Sequence, residues 1–293
     1  MNTNRFRVHP GQKVDLRRYD TADTAPFTHK QKALSRLNRS LERMVALQDV
    51  LYASNRWSVL LIFQAMDAAG KDSAIKHVTS GLNPQGTQVF NFKRPSDEEL
   101  DHDYLWRTAK ALPERGRIGI FNRSYYEEVL VVRVHPEILE QQRLPSTLVT
   151  DRIWKDRCED ISAFERYLSR NGTLFLKFFL HVSKDEQRRR LLGRLDEPAK
   201  NWKFEMGDLG ERERWADYMQ AYEQALTATS TRHAPWFVIP ADHKWFMRLA
   251  ISELIVKALE GLDLAYPTVS KAHLAELAEA RKRLGKKNGR KTR

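Results

Sequence analysis

The stretch SVLLIFQAMDAAGKDSAIKHV, residues 58–78, decides the fold. It begins with an apolar run of strand length, continues into a turn of small residues that ends in Gly70-Lys71, and finishes with the pattern of a helix. Successive backbone N–H groups in such a turn, at the start of a helix, form a positive pocket for phosphate oxygens. The sequence therefore predicts a phosphate-binding loop at the carboxyl end of a strand.

The residue types in this loop suit phosphate chemistry. Ala68, Ala69 and Gly70 are small enough for phosphate to approach the backbone, and Lys71 supplies a compact cation. Asp67 would repel a bound phosphate, since like charges about 4 Å apart cost several kcal/mol at intermediate dielectric. Asp67 is therefore predicted to hold a metal ion or to orient an attacking phosphate; the alternative is a turn residue or a cap.

Two positions depart from the usual G-x-x-x-x-G-K-[ST] pattern. Ala65 stands in place of the first glycine, and Asp72 stands in place of Ser or Thr, with Ser73 one step later. We predict that Asp72 and Ser73 still contact phosphate or nucleotide. The alternative is an ordinary tight strand-to-helix turn with a surface lysine.

Apolar strands alternate with helical segments along the chain. Strands are predicted at 57–63, 87–92, 117–122, 173–182 and 236–241. Helices are predicted at 28–52, 71–82, 96–112, near 146–170 and at about 243–261. Continuous apolar strands that alternate with helices favour an α/β fold, in which helices cover both faces of a parallel sheet.

Residues 184–230 interrupt this alternation. They are predicted to form two charged helices around a loop, with little to bury, and so a helical lid over the carboxyl edge of the sheet. Cationic residues in or near this lid and after the second strand are candidates to bind phosphate, although a run of charges usually marks a solvated face. These candidates are Lys93, Arg94, Arg190, Arg194, Lys200 and Lys203.

Polar residues follow the third predicted strand, where doubly wound folds bind ligands. Asn122 occupies the place of the acidic residue that P-loop proteins usually have near Mg²⁺, and Arg123 can clamp phosphate oxygens with two N–H groups. Glu127 can supply the missing carboxylate as a metal ligand. It is equally well explained as a favourable charge at the start of a helix.

Composition sets limits on other functions. The chain has 293 residues and a formal net charge of +12, of which +7 comes from residues 271–293, where nine basic residues face two acidic ones. The end of this tail, residues 281–293, is predicted to be disordered, and the high charge alone does not indicate a nucleic-acid partner.

The single cysteine excludes an internal disulfide. No apolar leader or membrane-length run is present, so we expect a cytoplasmic location.

Taken together, four strings resemble the polyphosphate kinase 2 family over roughly residues 30–262. They are AMDAAGKD (65–72), GLNPQGTQVFNFKRPSDEELDHDYLWR (81–107), FNRSYYEEVLVVRVHPE (121–137) and RRRLLGRLDEPAKNWKF (188–204). The resemblance implies a three-layer α/β/α sandwich of the P-loop kinase type with a helical lid. The corresponding domains are an N-terminal arm (1–27), the phosphotransferase domain (28–265, lid about 184–230) and a basic tail (266–293).

The resemblance also implies Mg²⁺-dependent transfer of phosphate between inorganic polyphosphate and nucleotides such as AMP, ADP, GMP, GDP and ATP. It makes Asp67, Lys71 and Arg123 the catalytic centre, with Mg²⁺ at Asp67, and implies a homodimer or homotetramer. Many relatives have Asp-Arg-Ser where this chain has Asn122, Arg123 and Ser124. The Asn form resembles the class III subgroup, which phosphorylates nucleoside mono- and diphosphates.

Two other functions stay open from the sequence. One is an ATP-dependent nucleotide or nucleoside kinase of the same architecture. The other is a non-enzymatic nucleic-acid-binding protein that uses the basic tail, although the sequence has no aromatic stacking platform interleaved with basic residues. We expect no nucleic-acid partner and no membrane attachment.

Overall fold

The structure, a computed structural model, describes residues 1–285 and is built around one parallel sheet. Its strands are β1 (Ser58–Gln64), β2 (Thr87–Asn91), β3 (Ile118–Asn122), β4 (Thr173–His181) and β5 (Trp236–Pro240). They are arranged in the order β2-β3-β1-β4-β5, and every pairing is parallel. The five predicted strands are confirmed to within one residue at each end.

Helices cover both faces of this sheet. They are α1 (Lys30–Ser54), α2 (Lys71–Val78), α3 (Asp97–Leu100), α4 (Trp106–Ala109), α5 (Val131–Val134), α6 (Glu137–Gln141), α7 (Ile153–Arg170), α8 (Lys184–Asp196), α9 (Gly207–Glu213), α10 (Trp215–Thr229), α11 (Lys244–Glu260) and α12 (Lys271–Gly285). Helices α1, α2 and α11 pack together on one face, and α7 and α10 pack together on the other. This is the predicted three-layer α/β/α arrangement.

The strand that carries the loop is central in the sheet. Every residue of β1, which lies between β3 and β4, is buried, whereas β2 at the edge of the sheet is half-exposed. In the register of the sheet, Phe63 of β1 lies beside Asn122 of β3. The loop after β1 and the residues after β3 therefore emerge next to each other at the carboxyl edge.

The second half of the predicted lid is part of the core. Helix α10 buries Tyr218, Tyr222 and Leu226 against the sheet side of the molecule. The expectation that residues 184–230 have little to bury is wrong for this helix, because its apolar residues recur with helical spacing among charged ones. The part of the lid that overhangs the sheet is confined to α8, a 3₁₀ turn at Pro198–Lys203, and α9.

Residues 96–112 and the start of the tail differ from expectation, and the N-terminal arm adds to the core. Residues 96–112 form two short helices instead of one, because the Asp103 side chain accepts a hydrogen bond from the Leu105 N–H and so closes a local turn. The N-terminal arm is packed: Val8 is fully buried, and its N–H donates to the carbonyl of Trp236 in β5. In the tail, helix-forming residues extend α12 through Gly285, so residues 281–285 are not disordered as predicted; residues 286–293 lie outside the described part.

A buried ion pair anchors the turn that follows β3. Lys177 of β4 and Glu165 of α7 are both 0% exposed and lie 2.7 Å apart. The Lys177 ammonium also donates to the Tyr126 hydroxyl and to the Thr229 carbonyl, and the hydroxyls of Tyr125 and Tyr126 donate to Glu165. Every charge in this network therefore has close partners, as buried charges require.

We expect Lys177→Met to lower the free energy of unfolding by about 3–5 kcal/mol, because it leaves the Glu165 carboxylate buried without its cation. Urea unfolding measures the loss. The control is Lys155→Met, which breaks the exposed Lys155–Glu159 pair on α7 and is expected to cost about 0.5 kcal/mol or less. Equal losses in the two variants would show that the buried pair has no special role in stability.

Among residues 1–285, no helix is both long and apolar enough to cross a membrane.

Candidate active site

A cavity of about 820 Å³ opens at the carboxyl edge of the sheet, between the loop after β1 and the lid. Nearly all of the predicted site residues meet there. The lining includes Asp67, Ala68, Ala69, Gly70, Lys71, Asp72, Ser73, Lys93, Arg94, Asn122, Arg123, Arg190, Arg194, Lys200 and Lys203. The cavity therefore brings the loop, the end of β3, the segment after β2 and the lid to one place.

The backbone of the loop has the shape of an anion nest. Ala68 and Gly70 have positive φ angles, +58° and +104°, and α2 begins at Lys71 directly after them. For alanine this left-handed conformation costs roughly 1–2 kcal/mol, so the surrounding structure must hold it in place. Alternating backbone conformations of this kind point successive N–H groups toward one side, where a phosphate can be bound.

The Lys71 side chain lies along the loop and does not extend into the open cavity. Its ammonium group donates to the Ala65 carbonyl at 2.8 Å, and its side chain is buried. Burial lowers the pKa of Lys71, and the nearby Asp67 carboxylate opposes that shift. A bound polyanion would favour the charged amine and so move its pKa upward.

Arg123 lies between two carboxylates. Its backbone has a positive φ of +64°, and its guanidinium donates to Asp67 at 3.3 Å and lies 3.9 Å from Glu127. These carboxylates, Glu127 first, raise the pKa of Arg123. Burial raises the pKa of Glu127, while Arg123 and Lys71 oppose that shift. The strained backbone at Arg123 is the kind of outlier that functional sites retain.

Glu127 is not brought to the position predicted for a metal ligand. It lies in the 3₁₀ turn Tyr125–Val129, beneath Arg123, and is not among the residues that line the cavity. The reason is the tight turn, which directs its carboxylate toward the Arg123 guanidinium. Glu127 here supplies a counter-charge to Arg123.

Asp72 and Asn122, which each replace a residue type that P-loop proteins usually have, contact each other. The Asn122 side-chain amide donates to the Asp72 carboxylate at 2.7 Å. The carboxylate that P-loop proteins usually have at the strand end is thus found at the start of α2, and the neutral hydrogen-bonding group is found on the strand. Compared with the usual P-loop arrangement, the carboxylate and the neutral polar side chain have changed places, but they still lie next to each other.

The carboxylates in the cavity suit a magnesium ion that is bound jointly by the protein and by substrate phosphate. Asp67 and Asp72 present carboxylates to the same cavity as the nest, and the Asp67 side chain is 27% exposed. Within residues 1–285 no cluster of three or more His, Cys, Asp or Glu side chains could hold a metal alone. Mg²⁺ commonly binds one or two carboxylates and completes its shell with water and substrate phosphates, so these residues fit it.

The lid cations differ in their availability. Arg194 is engaged within the lid, where its guanidinium donates to the Lys203 carbonyl and to Asp208, each at 3.0 Å. Lys200 pairs with Glu197 and is half-exposed. The Lys203 ammonium lies over the Trp202 ring, 5.0 Å from its centre. Arg190 lines the cavity, but its guanidinium donates to the Ala68 and Ala69 carbonyls of the loop, and its predicted contact with phosphate stays a prediction.

Several lining residues were not predicted. They are Met66, Asn91, Phe92, Arg189, Gly193, Glu197, Glu205 and Lys244. Lys244 follows the carboxyl end of β5. Ligands bind at the carboxyl ends of parallel strands, and this rule, which led to Asn122 and Arg123, applies to Lys244 as well. Burial lowers the pKa of Lys244, and the neighbouring cations Arg190 and Arg248 lower it further. Nothing in the sequence distinguishes Glu197 or Glu205 from other charged lid residues.

A parallel sheet in this order, a nest at the end of β1 and a cationic lid define a P-loop kinase-type fold. The sequence model of the polyphosphate kinase 2 (PPK2) family matches residues 28–266. The chain belongs to the polyphosphate kinase 2 family. The resemblance found in the sequence, and the region to which it was assigned, are therefore confirmed.

Named relatives and a solved structure are similar over nearly the whole chain. An ADP-polyphosphate phosphotransferase from Rhodopseudomonas palustris is 52% identical over 97% of this chain and 99% of its own. An AMP/ADP-polyphosphate phosphotransferase from Meiothermus ruber is 47% identical over 90% of this chain and 95% of its own. The crystal structure of polyphosphate kinase 2 from Arthrobacter aurescens TC1 superposes with a TM-score of 0.84 at 40% identity, covering 94% and 95% of the two chains.

We expect binding of tripolyphosphate to take up protons in alkaline solution. Burial holds the pKa of Lys71 below its ordinary value of 10.5, so part of the amine is neutral in the free protein, and the bound anion recharges it. Calorimetry at about pH 9.5 in two buffers of different ionisation enthalpy measures the uptake. In Lys71→Arg, whose guanidinium stays charged, the uptake is expected to decrease. The same uptake in both proteins would assign the proton to another group.

Proposed function

We propose that this protein transfers a phosphoryl group between inorganic polyphosphate and nucleotides, phosphorylating AMP, ADP, GMP and GDP. One observation carries the proposal: the phosphate nest opens into a cavity lined by ten basic side chains and four acidic ones. One nucleotide does not need so many cations, whereas a polyphosphate chain has an anion at every unit. The names of the relatives from R. palustris and M. ruber support the same donor.

The site can perform this reaction by positioning and by charge stabilisation. The N–H groups of the loop bind phosphate oxygens, while Lys71 and Arg123 neutralise charge on the migrating group. No general base is needed for the acceptor, because a nucleotide phosphate is already ionised. Mg²⁺, which Asp67 would hold with Asp72 beside it, supplies further neutralisation between phosphate oxygens when bound.

Cations from three parts of the chain line the cavity. Lys200 and Lys203 belong to the lid, Lys244 begins α11, and Lys93 and Arg94 follow β2. A polyanion held by the nest can therefore meet cations on several sides. The expected homodimer or homotetramer, cytoplasmic location and lack of a nucleic-acid partner remain predictions.

The choice of donor tests the proposal. Purified protein is incubated with Mg²⁺, AMP or ADP, and either long-chain polyphosphate or ATP as donor, and the nucleotide products are separated. We expect phosphorylated product with polyphosphate. Product only with ATP would make the protein a nucleotide kinase of the same fold. No transfer with either donor, together with salt-sensitive RNA binding that survives loss of residues 271–293, would favour a nucleic-acid-binding function.

We expect Asp67→Ala and Lys71→Ala each to reduce kcat by about a thousandfold or more, because each removes a charge that acts on the transferring group. The sheet does not depend on either side chain, so circular dichroism and thermal unfolding should show a folded protein. Lys155→Ala, on the exposed face of α7, is the activity control. Near-normal turnover in either loop variant would exclude it from the catalytic centre.

We expect the double variant Lys203→Ala/Lys244→Ala to raise KM for polyphosphate by about tenfold while raising KM for AMP less, because a long polyanion can use more of the cations that line the cavity than one nucleotide can. Steady-state kinetics with each substrate varied in turn measures the two constants. Arg188→Ala removes an exposed arginine of α8 that does not line the cavity and is the matched control. An equal rise in both KM values would contradict a donor-specific role for these two cations.

A further inference from the structure

Three consecutive carbonyl groups of the phosphate loop accept hydrogen bonds from side chains of one helix. The Gln187 amide of α8 donates to the carbonyl of Asp67 at 3.0 Å. The Arg190 guanidinium, also on α8, donates to the carbonyls of Ala68 at 3.2 Å and Ala69 at 2.6 Å. This helix follows β4 and is separate in sequence from the loop by about 120 residues.

The geometry of a nest explains why these acceptors need partners. When the N–H groups of the loop face the cavity, the carbonyl groups of the same residues turn away from it, toward the protein. A buried carbonyl without a donor costs about 1–3 kcal/mol. Ala68 adds the strain of its positive φ. The anion-binding conformation therefore depends on donors behind the loop.

The guanidinium of Arg190 uses all of its N–H groups in hydrogen bonds within the protein. Besides its bonds to the loop, it donates to the carbonyls of Ala241 and Asp242 at 2.6 and 3.0 Å, and to the Glu186 carboxylate at 2.7 Å. Its side chain is 7% exposed. Five hydrogen bonds match the five N–H donors of a guanidinium, so none is left for a phosphate.

Gln187 cannot contact a ligand either. Its side chain is fully buried, and its carbonyl oxygen accepts a hydrogen bond from Arg212 at 2.9 Å. Arg212 belongs to α9, in the overhanging part of the lid, and also donates to the Lys184 carbonyl. A chain of hydrogen bonds therefore connects the lid, through Gln187, to the backbone of Asp67.

We propose that Gln187 and Arg190 are positioning residues, which hold the loop 67–70 in its anion-binding conformation without touching substrate, and that Arg212 connects α9 to them. The choice of substrates for testing it rests on the proposed function. A rival explanation is that Arg190 binds phosphate directly after a rearrangement. Substitution by lysine separates the two explanations, because lysine keeps the charge but cannot bridge four carbonyls.

The experiment compares Gln187→Ala, Arg190→Lys and Arg190→Ala with the control Arg188→Lys. Arg188 is adjacent on α8 and is exposed, and it does not line the cavity. The readouts are kcat and KM with polyphosphate and AMP, the Kd of tripolyphosphate by calorimetry, and Tm. Kinetics are measured well below the Tm of every variant, so that loss of fold does not contribute.

We expect Gln187→Ala to lower kcat and to weaken tripolyphosphate binding on the order of tenfold, although the residue cannot reach a ligand. Arg190→Lys is expected to be nearly as impaired as Arg190→Ala, and Arg188→Lys to match the wild type. Ala68→Gly removes the strain of the positive φ, so in the Gln187→Ala background it should restore part of the lost affinity. The Ala68→Gly single variant completes the double-mutant cycle.

Three outcomes would overturn the positioning role. One is wild-type kinetics in Gln187→Ala, another is an Arg190→Lys variant that retains activity while Arg190→Ala loses it, and the third is a change in Tm with no change in kcat or Kd. A wild-type protein that binds tripolyphosphate but does not transfer from polyphosphate would refute the proposed function instead, and the binding arm of the experiment would still test the positioning residues.

Discussion

The site depends on one constraint, the orientation of three peptide groups in the loop after β1. A loop that offers its N–H groups to phosphate must turn its carbonyl groups the other way, and those groups need donors. In this protein the donors come from α8, whose position is fixed by β4 and by the end of β5. The anion site is therefore a property of the assembled sheet and helix, although its signature lies in a short stretch of sequence.

The charges around this loop form layers. Glu127 lies beneath Arg123, Arg123 lies beside Asp67, and Lys71 lies along the loop against a carbonyl group. Each cation near the transferring group thus has a local partner before a substrate arrives, which lowers the cost of burying it. Outside these layers, Lys93 and Lys244 line the open cavity. The inner cations are thus held in fixed positions, and the outer ones are available to a polyanion.

Much of the fold could be predicted from the sequence because the strands are continuous apolar runs bounded by polar residues. The loop could be predicted because Gly70 and Lys71 follow such a strand directly. The role of Arg190 could not be predicted, since composition does not show which way a helical arginine points or how many acceptors surround it. The burial of α10 was missed because charged residues mask its apolar spacing, and the contact of Glu127 with Arg123 could not be predicted because it depends on the 3₁₀ turn after β3.

The pairing of Asp72 with Asn122 has an electrostatic consequence. An acidic residue at both positions would place two negative charges in hydrogen-bond range, and one of them would need a proton or a cation to offset the repulsion. With the amide of Asn122 in this position, the Asp72 carboxylate keeps a neutral donor and stays in place whether or not a cation is bound nearby.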